Sequence, residues 1–414
     1  MSNSVTRKKP EIYLDYILMV LLFFVSGNPL FSSKNIYLVS FLFSMILFFI
    51  RGKKFDKQFS LFTIVLFVVF IFQTYIFGNF PAVSIFGVFI RISIAYFIFK
   101  SLDTRFVSVY INTIYYISIL SLFIFVLLNL LPPIHNLLLN VSIKAETGNN
   151  GTRYSLVFYT LIRGTSLFYR NSGPFWEPGA FGGYLILGLI FNYIKTSNFF
   201  NRKGIVLLIA LLSTASTTAF IALFVFLYFL VLKFKINKIY KFIMLILVVF
   251  ISFYLYTNVA FIGEKISSQI ESAESSSIYT NTNSQRFLSA LRDFQDIKGY
   301  YLWGRGPLLK NRYSIWSTSD IRTNGLTDYW VRFGSLFLIF SSVYLFSSFK
   351  RLCCYYNSGF AIAAITLILI VLQSETYFNF PLFLGLFFLG SVYKCDKSKN
   401  RLSKHVLANS STID

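Results

Sequence analysis

The chain has 414 residues, of which 56% are hydrophobic and only 13% are charged, and its mean hydropathy is +0.64. The charged share is about half that of an average soluble domain, which excludes a soluble globular protein. A net charge of +22 is also found in nucleic-acid-binding proteins. In a chain built of apolar stretches it instead indicates membrane orientation and contact with lipid phosphates, so no nucleic-acid partner is expected.

Eleven apolar stretches predict an all-α polytopic membrane protein. They are Ile12–Val25, Ile36–Ile50, Leu61–Phe77, Val83–Phe99, Val107–Leu131, Ala180–Ile194, Ile205–Leu232, Phe242–Thr257, Tyr329–Phe349, Phe360–Leu372 and Pro381–Tyr393. The seventh stretch is ambiguous, because it is longer than one crossing needs and shorter than two crossings need. Its centre, Ser213–Ala219, is small and hydroxylated, as a tight hairpin between packed helices can be.

The basic residues decide between one crossing and two. Lys195, Arg202 and Lys203 precede the ambiguous stretch, and Lys233 and Lys238 follow it. Two crossings place every short basic loop on one side, as the positive-inside rule requires. The sequence therefore predicts a single integral membrane domain of about 12 helices with both termini in the cytoplasm. On this topology Cys353, Cys354 and Cys395 face a reducing interior, and no disulfide is expected.

The same topology leaves two long loops on the outer side, at residues 132–179 and 259–328. Arginine outnumbers lysine in these loops, whereas lysine outnumbers arginine in the cytoplasmic segments. Guanidinium groups match phosphate oxygens bidentately and stay charged at any relevant pH. The loops are therefore where we expect an anionic substrate to bind.

Within the second loop, the segment Gln285–Ile297 has apolar residues at helical spacing. They are Phe287, Leu288, Leu291, Phe294 and Ile297. This pattern predicts a short amphipathic helix at the membrane surface. Arg292 and Asp296 are four residues apart on it, so Arg292 either binds substrate or forms an exposed ion pair of a few tenths of a kcal/mol.

Three motifs carry a resemblance to a known family. They are Arg170-Asn-Ser-Gly-Pro-Phe-Trp-Glu-Pro-Gly-Ala-Phe-Gly182, Ser213-Thr-Ala-Ser-Thr-Thr218, and Arg286-Phe followed by Leu302-Trp-Gly-Arg-Gly-Pro307. Together with the two-loop layout they resemble the O-antigen polymerases of the Wzy type and the related O-antigen ligases, across roughly residues 165 to 335. The ligases rely on a histidine near the end of the second outer loop. The matching stretch Asn324–Trp330 has none, which favours a polymerase and leaves Asp328 as a polar substitute.

The resemblance implies a GT-C-like glycosyltransferase in the bacterial inner membrane. Its substrate would be an oligosaccharide linked to undecaprenyl pyrophosphate, and the growing chain would be transferred to a new lipid-linked unit at the periplasmic face. A flippase and a chain-length regulator are the partners that such an enzyme implies. We expect no cofactor and, since the outer loops contain no Asp-x-Asp motif, no metal ion.

The candidate catalytic residues are Arg170, Arg286 and Glu177. The two arginines would neutralise the pyrophosphate as the anomeric bond breaks. Glu177 would act as general base on the acceptor hydroxyl or hold an arginine in place. Its alternative role is that of an acid at a helix N-terminus, because Pro178 suits a first helical turn.

The remaining candidates are substrate-binding residues. Arg163 belongs to the first loop, and Arg305 lies between Gly304 and Gly306, where the backbone can approach a phosphate or form an ordinary turn. Arg91 lies inside an apolar span, where a charge normally faces the bundle interior and marks a function. It would contact the pyrophosphate or pair with a carboxylate such as Asp15. A ligase, or a flippase that moves the same lipid-linked sugars, remains an alternative to the polymerase.

Overall fold

The computed structural model describes residues 9–146, 152–161, 168–233, 237–244, 246–247, 250, 286–312 and 322–395. These residues are mostly helical. In chain order the helices are α1 (Lys9–Val25), α2 (Lys34–Ile50), α3 (Lys57–Phe77), α4 (Ala82–Leu102), α5 (Phe106–Leu130), α6 (Pro133–Val141), α7 (Pro178–Thr196), α8 (Arg202–Ser213), α9 (Thr217–Lys233), α10 (Arg286–Asp296), α11 (Leu309–Arg312), α12 (Gly325–Tyr355), α13 (Ala361–Leu372), α14 (Pro381–Gly385) and α15 (Leu389–Val392).

Three helical stretches are long and apolar enough to cross a membrane, judged by length and composition. They are Lys57–Phe77, Ala82–Leu130, which joins α4 and α5, and Gly325–Tyr355. Shorter apolar helices lie at Lys34–Ile50, Thr217–Lys233, Ala361–Leu372 and Pro381–Val392. Each predicted span within the described residues coincides with a helix, but most of Phe242–Thr257 lies outside those residues. The number of crossings therefore remains a prediction.

The ambiguous seventh stretch is two helices, α8 and α9, on either side of a chain reversal. Gly182, near the start of α7, lies against the Ala219 side chain at the start of α9. At the opposite end of α7, Tyr193 contacts Phe226 of α9, and the Lys233 ammonium lies over the Tyr193 ring. The start of α8 and the end of α9 thus lie at the same end of α7, as a hairpin requires.

The reversal depends on hydroxyl groups. The Ser213 and Thr214 hydroxyls donate to the Ala210 and Leu211 carbonyls at 2.7 Å, and so add hydrogen bonds at the end of α8, where regular helical partners run out. Ala215 then adopts a left-handed conformation with φ of 44°. The small hydroxylated sequence therefore ends α8 and allows α9 to begin in a new direction.

A buried charge cluster lies at the end of the bundle where α1 and α3 begin. Asp15 is fully buried and contacts Arg51 at 2.7 Å and Arg105. The expected pairing of Asp15 with Arg91 is wrong. Along the helix axes, Asp15 is about 9 Å from the start of α1, whereas Arg91 is about 16 Å from the end of α4, so they lie at different depths.

The first long loop contains a small β-sheet that the all-α prediction missed. Strands β1 (Ile143–Glu146), β2 (Thr152–Ser155) and β3 (Thr160–Leu161) are antiparallel in the order β1-β2-β3, with Lys144 opposite Tyr154. Tyr154 and Leu161 pack with Leu128 of α5 in a small cluster separate from the main core. The sequence signal was the residue pair Asn150-Gly151, which is common in hairpin loops, between two short polar–apolar segments.

Helix α12 is broken at Gly334, which has a φ of 74°. In a regular helix the Val331 and Arg332 carbonyls would accept from Ser335 and Leu336. They accept instead from the Arg305 and Gly306 amides at 2.7 and 3.0 Å. A segment of the second loop thus fills the break.

The exchange is reciprocal. The Ser335 and Leu336 amides donate to the Tyr301 and Leu302 carbonyls at 2.8 and 3.3 Å. A Cβ at Gly304 would lie 2.5 Å from the Gly334 nitrogen, and a Cβ at Gly334 would collide with the Leu302 carbonyl. Glycine is therefore required at both positions for the two backbones to approach.

The expectation of reduced cysteines is wrong for one pair. Cys354 and Cys395 form a disulfide with a Cα–Cα distance of 5.5 Å, and Cys353 is a buried free thiol. Position along the chain gave no sign of this pairing, because it depends on the end of α12 meeting the segment after α15.

The hairpin predicts the sidedness of four connections. Reporter fusions after Lys144 and after Lys298 should report the outer side of the membrane, and fusions after Asn198 and after Asn357 the cytoplasm. The physical reason is that α8 and α9 return the chain to the side from which it came. A cytoplasmic signal from the fusion after Lys298, with the fusion after Lys144 outside, would contradict this arrangement.

The break in α12 predicts an unusually sensitive glycine. Gly334→Ala should lower the thermal unfolding midpoint in detergent micelles markedly, because the new Cβ would separate four interlocked hydrogen bonds. Gly78→Ala is the control for a Cβ added at positive φ, since Gly78 has a φ of 60° and nothing within 4 Å of the added atom, although its ψ of 19° differs from the 172° of Gly334. That control should cost only about 1 kcal/mol, from the backbone conformation alone. Equal effects of the two changes would show that the close approach does not contribute to stability.

Candidate functional site

A short turn at Tyr377–Asn379 joins the parts of the chain that contain the candidate residues. The Tyr377 hydroxyl lies 3.1 Å from the Gly179 and Ala180 carbonyls in the first turn of α7. Trp176 packs on Phe380 with ring centroids 4.9 Å apart. The turn therefore fixes the end of the first long loop, including Glu177, against the segment before α14.

Two arginines meet at the last residue of this turn. Arg91 of α4 donates from Nη1 to the Asn379 carbonyl at 3.0 Å, and Arg332 of α12 donates from Nη1 to the Asn379 side-chain oxygen. Arg91 also lies over the Tyr37 ring at 5.7 Å. Its predicted position inside the bundle is confirmed, with Asn379 and Tyr37 as partners in place of a carboxylate.

Both arginines line a cavity between α3, α4, α12 and α14. The cavity wall is otherwise almost entirely apolar and consists of Phe62, Leu66, Val88, Ile92, Tyr329, Phe333, Phe337, Phe378 and Leu384, with Asn379 beside the arginines. A cavity with two cationic groups at one end and an apolar wall suits an amphiphilic anion.

Asp328 holds two guanidinium groups. It is 2% exposed and contacts Arg332 at 2.8 Å and Arg312. The prediction that Asp328 binds substrate gives way to a positioning role, because its two oxygens face arginines. If the Asp328 carboxylate were removed, the guanidinium groups of Arg312 and Arg332 would lose this counterion. Breaking a buried ion pair in this way typically costs about 3–5 kcal/mol of folding stability.

Helix α10 is present where the sequence predicted an amphipathic helix, but a charged face packs inward. Asp293 and Asp296 are buried, and Arg322 contacts both, at 3.4 Å for Asp293. The Thr327 hydroxyl donates to Asp293 at 2.6 Å. Phe294, predicted to be on the apolar face, is 52% exposed. The contacts with Arg322 offset the cost of burying the Asp293 and Asp296 carboxylates. The spacing of residues along α10 does not reveal this partner, because Arg322 lies outside the helix.

Asp293 has an unusual proton affinity for a carboxyl group. Its pKa is raised to about 7, first by burial and then by the nearby Asp328 carboxylate. Arg322, the hydrogen bond from Thr327 and Arg312 act in the opposite direction. Asp293 therefore exchanges a proton near neutral pH, next to the residues that hold Arg332.

Three predicted arginines have mixed outcomes. Arg292 is 6% exposed, so the expectation that it lies at the surface in an exposed ion pair is wrong; Asp296 contacts Arg322. Arg286 is the first residue of α10, but its side chain lies outside the described part of the chain, as does the whole of Arg163. Their roles in substrate binding remain predictions.

Arg170 lies at the α8–α9 turn. Its Nε donates to the Thr214 carbonyl at 3.0 Å, and the next residue, Asn171, donates to the Ser121 and Ser213 hydroxyls at 3.1 and 2.9 Å. This anchors the first loop to the helix reversal. The two motifs that carry the family resemblance in this region are therefore in direct contact.

Glu177 is the residue immediately before α7, with Pro178 in the first turn. This is the helix N-terminus position that the sequence gave as its alternative role. The backbone is extended there, and the Glu177 side chain makes no capping hydrogen bond. A carboxylate at this place benefits from the positive end of the helix dipole and borders the Tyr377–Asn379 turn.

The glycines beside Arg305 serve the protein's own backbone. Gly304 and Gly306 have φ values of 71° and 82°, and both lie where the loop segment fills the break in α12. The sequence allowed two roles for these glycines, a close approach to a phosphate or an ordinary turn, and the structure shows the turn. The Arg305 guanidinium lies over the Tyr300 ring at 4.6 Å and donates to the Asn311 carbonyl at 3.2 Å.

Sequence reasoning missed several residues of this site, namely Arg312, Arg322, Arg332, Asp293, Thr327 and Asn379. A signal existed for Arg332, because it is a charge within the predicted span Tyr329–Phe349, the criterion that selected Arg91. No comparable signal marked Asn379, whose importance depends on two helices remote in sequence.

No known family model matches the sequence, and comparison with curated proteins finds no significant similarity. Among the described residues, no group of three or more histidine, cysteine or acidic side chains is placed to hold a metal ion.

The raised pKa of Asp293 predicts a pH-dependent stability. The unfolded carboxyl ionises near its usual value of about 4, whereas the folded one stays protonated up to about 7. Stability should therefore fall as pH rises through this window, by on the order of 1–3 kcal/mol. Asp293→Asn, which cannot ionise, should flatten the dependence of the thermal midpoint between pH 5 and pH 8. An unchanged slope in this variant would show that another group titrates.

Proposed function

We propose that the chain is a glycosyltransferase that polymerises oligosaccharide units linked to a polyprenyl pyrophosphate, as the O-antigen polymerases do. The observation that carries this proposal is the convergence of Arg91 and Arg332 on Asn379, at one end of an apolar cavity. A lipid pyrophosphate has the matching form, with a doubly charged anion on an apolar chain. The proposal includes a GT-C-like architecture and a position in the bacterial inner membrane.

In this proposal the arginines act on the leaving group. The acceptor hydroxyl oxygen forms a bond to the anomeric carbon of the donor sugar, and the bond between that carbon and the pyrophosphate oxygen breaks. The departing pyrophosphate gains negative charge, which fixed guanidinium groups in a water-poor cavity stabilise strongly. The proton of the acceptor hydroxyl must pass to a base. In this proposal Glu177 accepts it, since it borders the turn that holds both arginines.

The charge pairs around Asp328 support the role of Arg332. A guanidinium held by Asp328 through Nη2 and by Asn379 through Nη1 loses little conformational freedom when an anion binds. Such preorganisation is what electrostatic catalysis requires, because the groups need not reorient as charge develops. The proposal also includes Arg170 and Arg286 as residues that neutralise the pyrophosphate, because both belong to the motifs that resemble the polymerase family.

A flippase or transporter is the second candidate, and two observations favour it. Helix α12 is broken at Gly334 beside Arg332, and α8 and α9 are short helices that reverse the chain. Discontinuous helices near a charged site are common in secondary transporters. The break in α12 is, however, closed by the loop segment Tyr301–Gly306, which suits a fixed scaffold better than an alternating gate.

The phenotype of a deletion separates these functions. Cells without a polymerase should carry surface polysaccharide of a single repeat unit. Cells without a ligase should make polymer that is not attached, and cells without a flippase should accumulate precursor on the cytoplasmic side. Electrophoresis of the surface polysaccharide, with a protection assay for the lipid-linked precursor, distinguishes the three.

Charge-preserving substitutions test the arginines. Arg332→Lys and Arg91→Lys should each reduce polymer at least about tenfold at normal protein level, because lysine keeps the charge but cannot bridge Asn379 and a phosphate at once. Arg170→Lys and Arg286→Lys should act in the same direction. Lys298→Arg, an exposed position in the same loop, is the control and should leave polymer length and amount unchanged. Normal polymer from both Arg91→Lys and Arg332→Lys would contradict bidentate pyrophosphate recognition.

A further inference from the structure

A second, polar pocket lies next to the arginine cavity. It is formed by the end of α3, the start of α4 and the loop segment Arg305–Asn311. Its lining is Phe70, Gln73, Thr74, Phe77, Asn79, Pro81, Ile85, Arg305, Gly306, Pro307 and Asn311. The lining thus combines amide, hydroxyl and guanidinium groups with the rings of Phe70 and Phe77.

Three polar atoms in this lining are buried without a hydrogen-bond partner among the described residues. They are Gln73 Oε1, Thr74 Oγ1 and Arg305 Nε. Gln73 is only 4% exposed. Buried polar groups in native proteins nearly always have a partner, so three unmatched atoms in one pocket indicate that a polar molecule binds there. The set contains an acceptor, a hydroxyl and a donor, which suits a ligand with several hydroxyl groups.

The orientation of these groups is fixed by the protein. Gln73 donates from Nε2 to the Trp303 and Arg332 carbonyls at 2.6 and 2.7 Å, which leaves Oε1 to face the pocket. Arg305 is held by the Tyr300 ring and the Asn311 carbonyl. At Gly306, a Cβ would approach Gln73 Oε1 to 3.0 Å, so the glycine avoids a tight contact with this buried acceptor.

Gln73 also connects this pocket to the arginine cavity. It binds the Arg332 carbonyl, and the Arg332 side chain lines the neighbouring cavity. A ligand group in the polar pocket would therefore lie close to an anion held by Arg91 and Arg332. In a lipid pyrophosphate sugar, the group next to the anion is the first sugar ring.

We propose that the pocket of Gln73, Thr74 and Arg305 binds the sugar ring that is attached directly to the lipid pyrophosphate. This inference rests on the proposed function and names the part of the substrate that the pocket takes. The enclosed part of the pocket is about 10 Å³, room for one hydroxyl group or one water molecule, and the rest is open to solvent. It therefore takes a single hydroxyl group at one edge of the ring, with the rest of the oligosaccharide outside.

The test compares two water-soluble probes on the purified full-length protein in lipid nanodiscs. One probe is farnesyl pyrophosphate, and the other is the same lipid pyrophosphate with one sugar, prepared with glucose, galactose, N-acetylglucosamine or N-acetylgalactosamine. The ratio of the two dissociation constants reports the contribution of the sugar. At least one sugar should bind more tightly than the bare pyrophosphate, by about fivefold or more for each neutral hydrogen bond.

The variant Thr74→Val removes the hydroxyl while keeping the shape of the side chain. It should abolish about fivefold of the sugar advantage and leave the affinity for farnesyl pyrophosphate unchanged. Thr74→Ser should restore the advantage. Thr63→Val on the same helix is the matched control, because the Thr63 hydroxyl donates within the helix, to the Phe59 and Ser60 carbonyls. That control should change neither affinity.

The outcomes separate this inference from the function on which it rests. Binding of farnesyl pyrophosphate with no advantage for any sugar would overturn the sugar pocket and leave the pyrophosphate site standing, with water as the occupant of the pocket. A sugar advantage that Thr74→Val leaves intact would also overturn it. Failure of every probe to bind would overturn the proposed function and the sugar pocket together.

Discussion

Every backbone group in an apolar environment needs a partner, and the break in α12 is where this constraint organises the structure. The Val331 and Arg332 carbonyls and the Ser335 and Leu336 amides lose their helical partners at Gly334 and regain them from Tyr301–Gly306. Four hydrogen bonds thus tie the second loop to the bundle. They also fix Arg332 beside the break, and the Gln73 amide then joins α3 to the same carbonyl. The arrangement of both candidate pockets follows from this one repair.

Buried charge imposes the second constraint. Asp328 lies between Arg312 and Arg332, and Arg322 lies between Asp293 and Asp296, so each buried ion has a counterion nearby. An ion pair of this kind contributes little net stability, because desolvation offsets most of the attraction. Its consequence is geometric, since the pair with Asp328 holds the Arg332 guanidinium in place beside the cavity that Arg332 lines. The raised pKa of Asp293 reflects this competition, because burial and Asp328 raise it while Arg322 and Arg312 lower it.

The Tyr377–Asn379 turn brings the two parts of the site together. Tyr377 contacts the start of α7 next to Glu177, and Asn379 contacts Arg91 and Arg332. In the proposed function, this turn therefore brings the base Glu177 and the pyrophosphate site at Arg91 and Arg332 to one substrate. The same turn explains why a charge inside an apolar helix is tolerated at Arg91, since the Asn379 carbonyl and the Tyr37 ring replace water around the guanidinium.

The amino-acid sequence by itself determined the helices, the reversal at Ser213–Ala219 and the interior position of Arg91. Those features follow from local composition, because apolar length, hydroxyl-rich breaks and basic flanks act within one segment. Only the tertiary structure decided that Asp15 pairs with Arg51 and Arg105, that Arg292 is buried, and that Asp328 holds arginines. It also decided that Asn379 and Gln73 lie at the centre of the site. Partners of this kind come from helices far apart in sequence, and the depth at which two helices face each other is set by packing, which no single segment encodes.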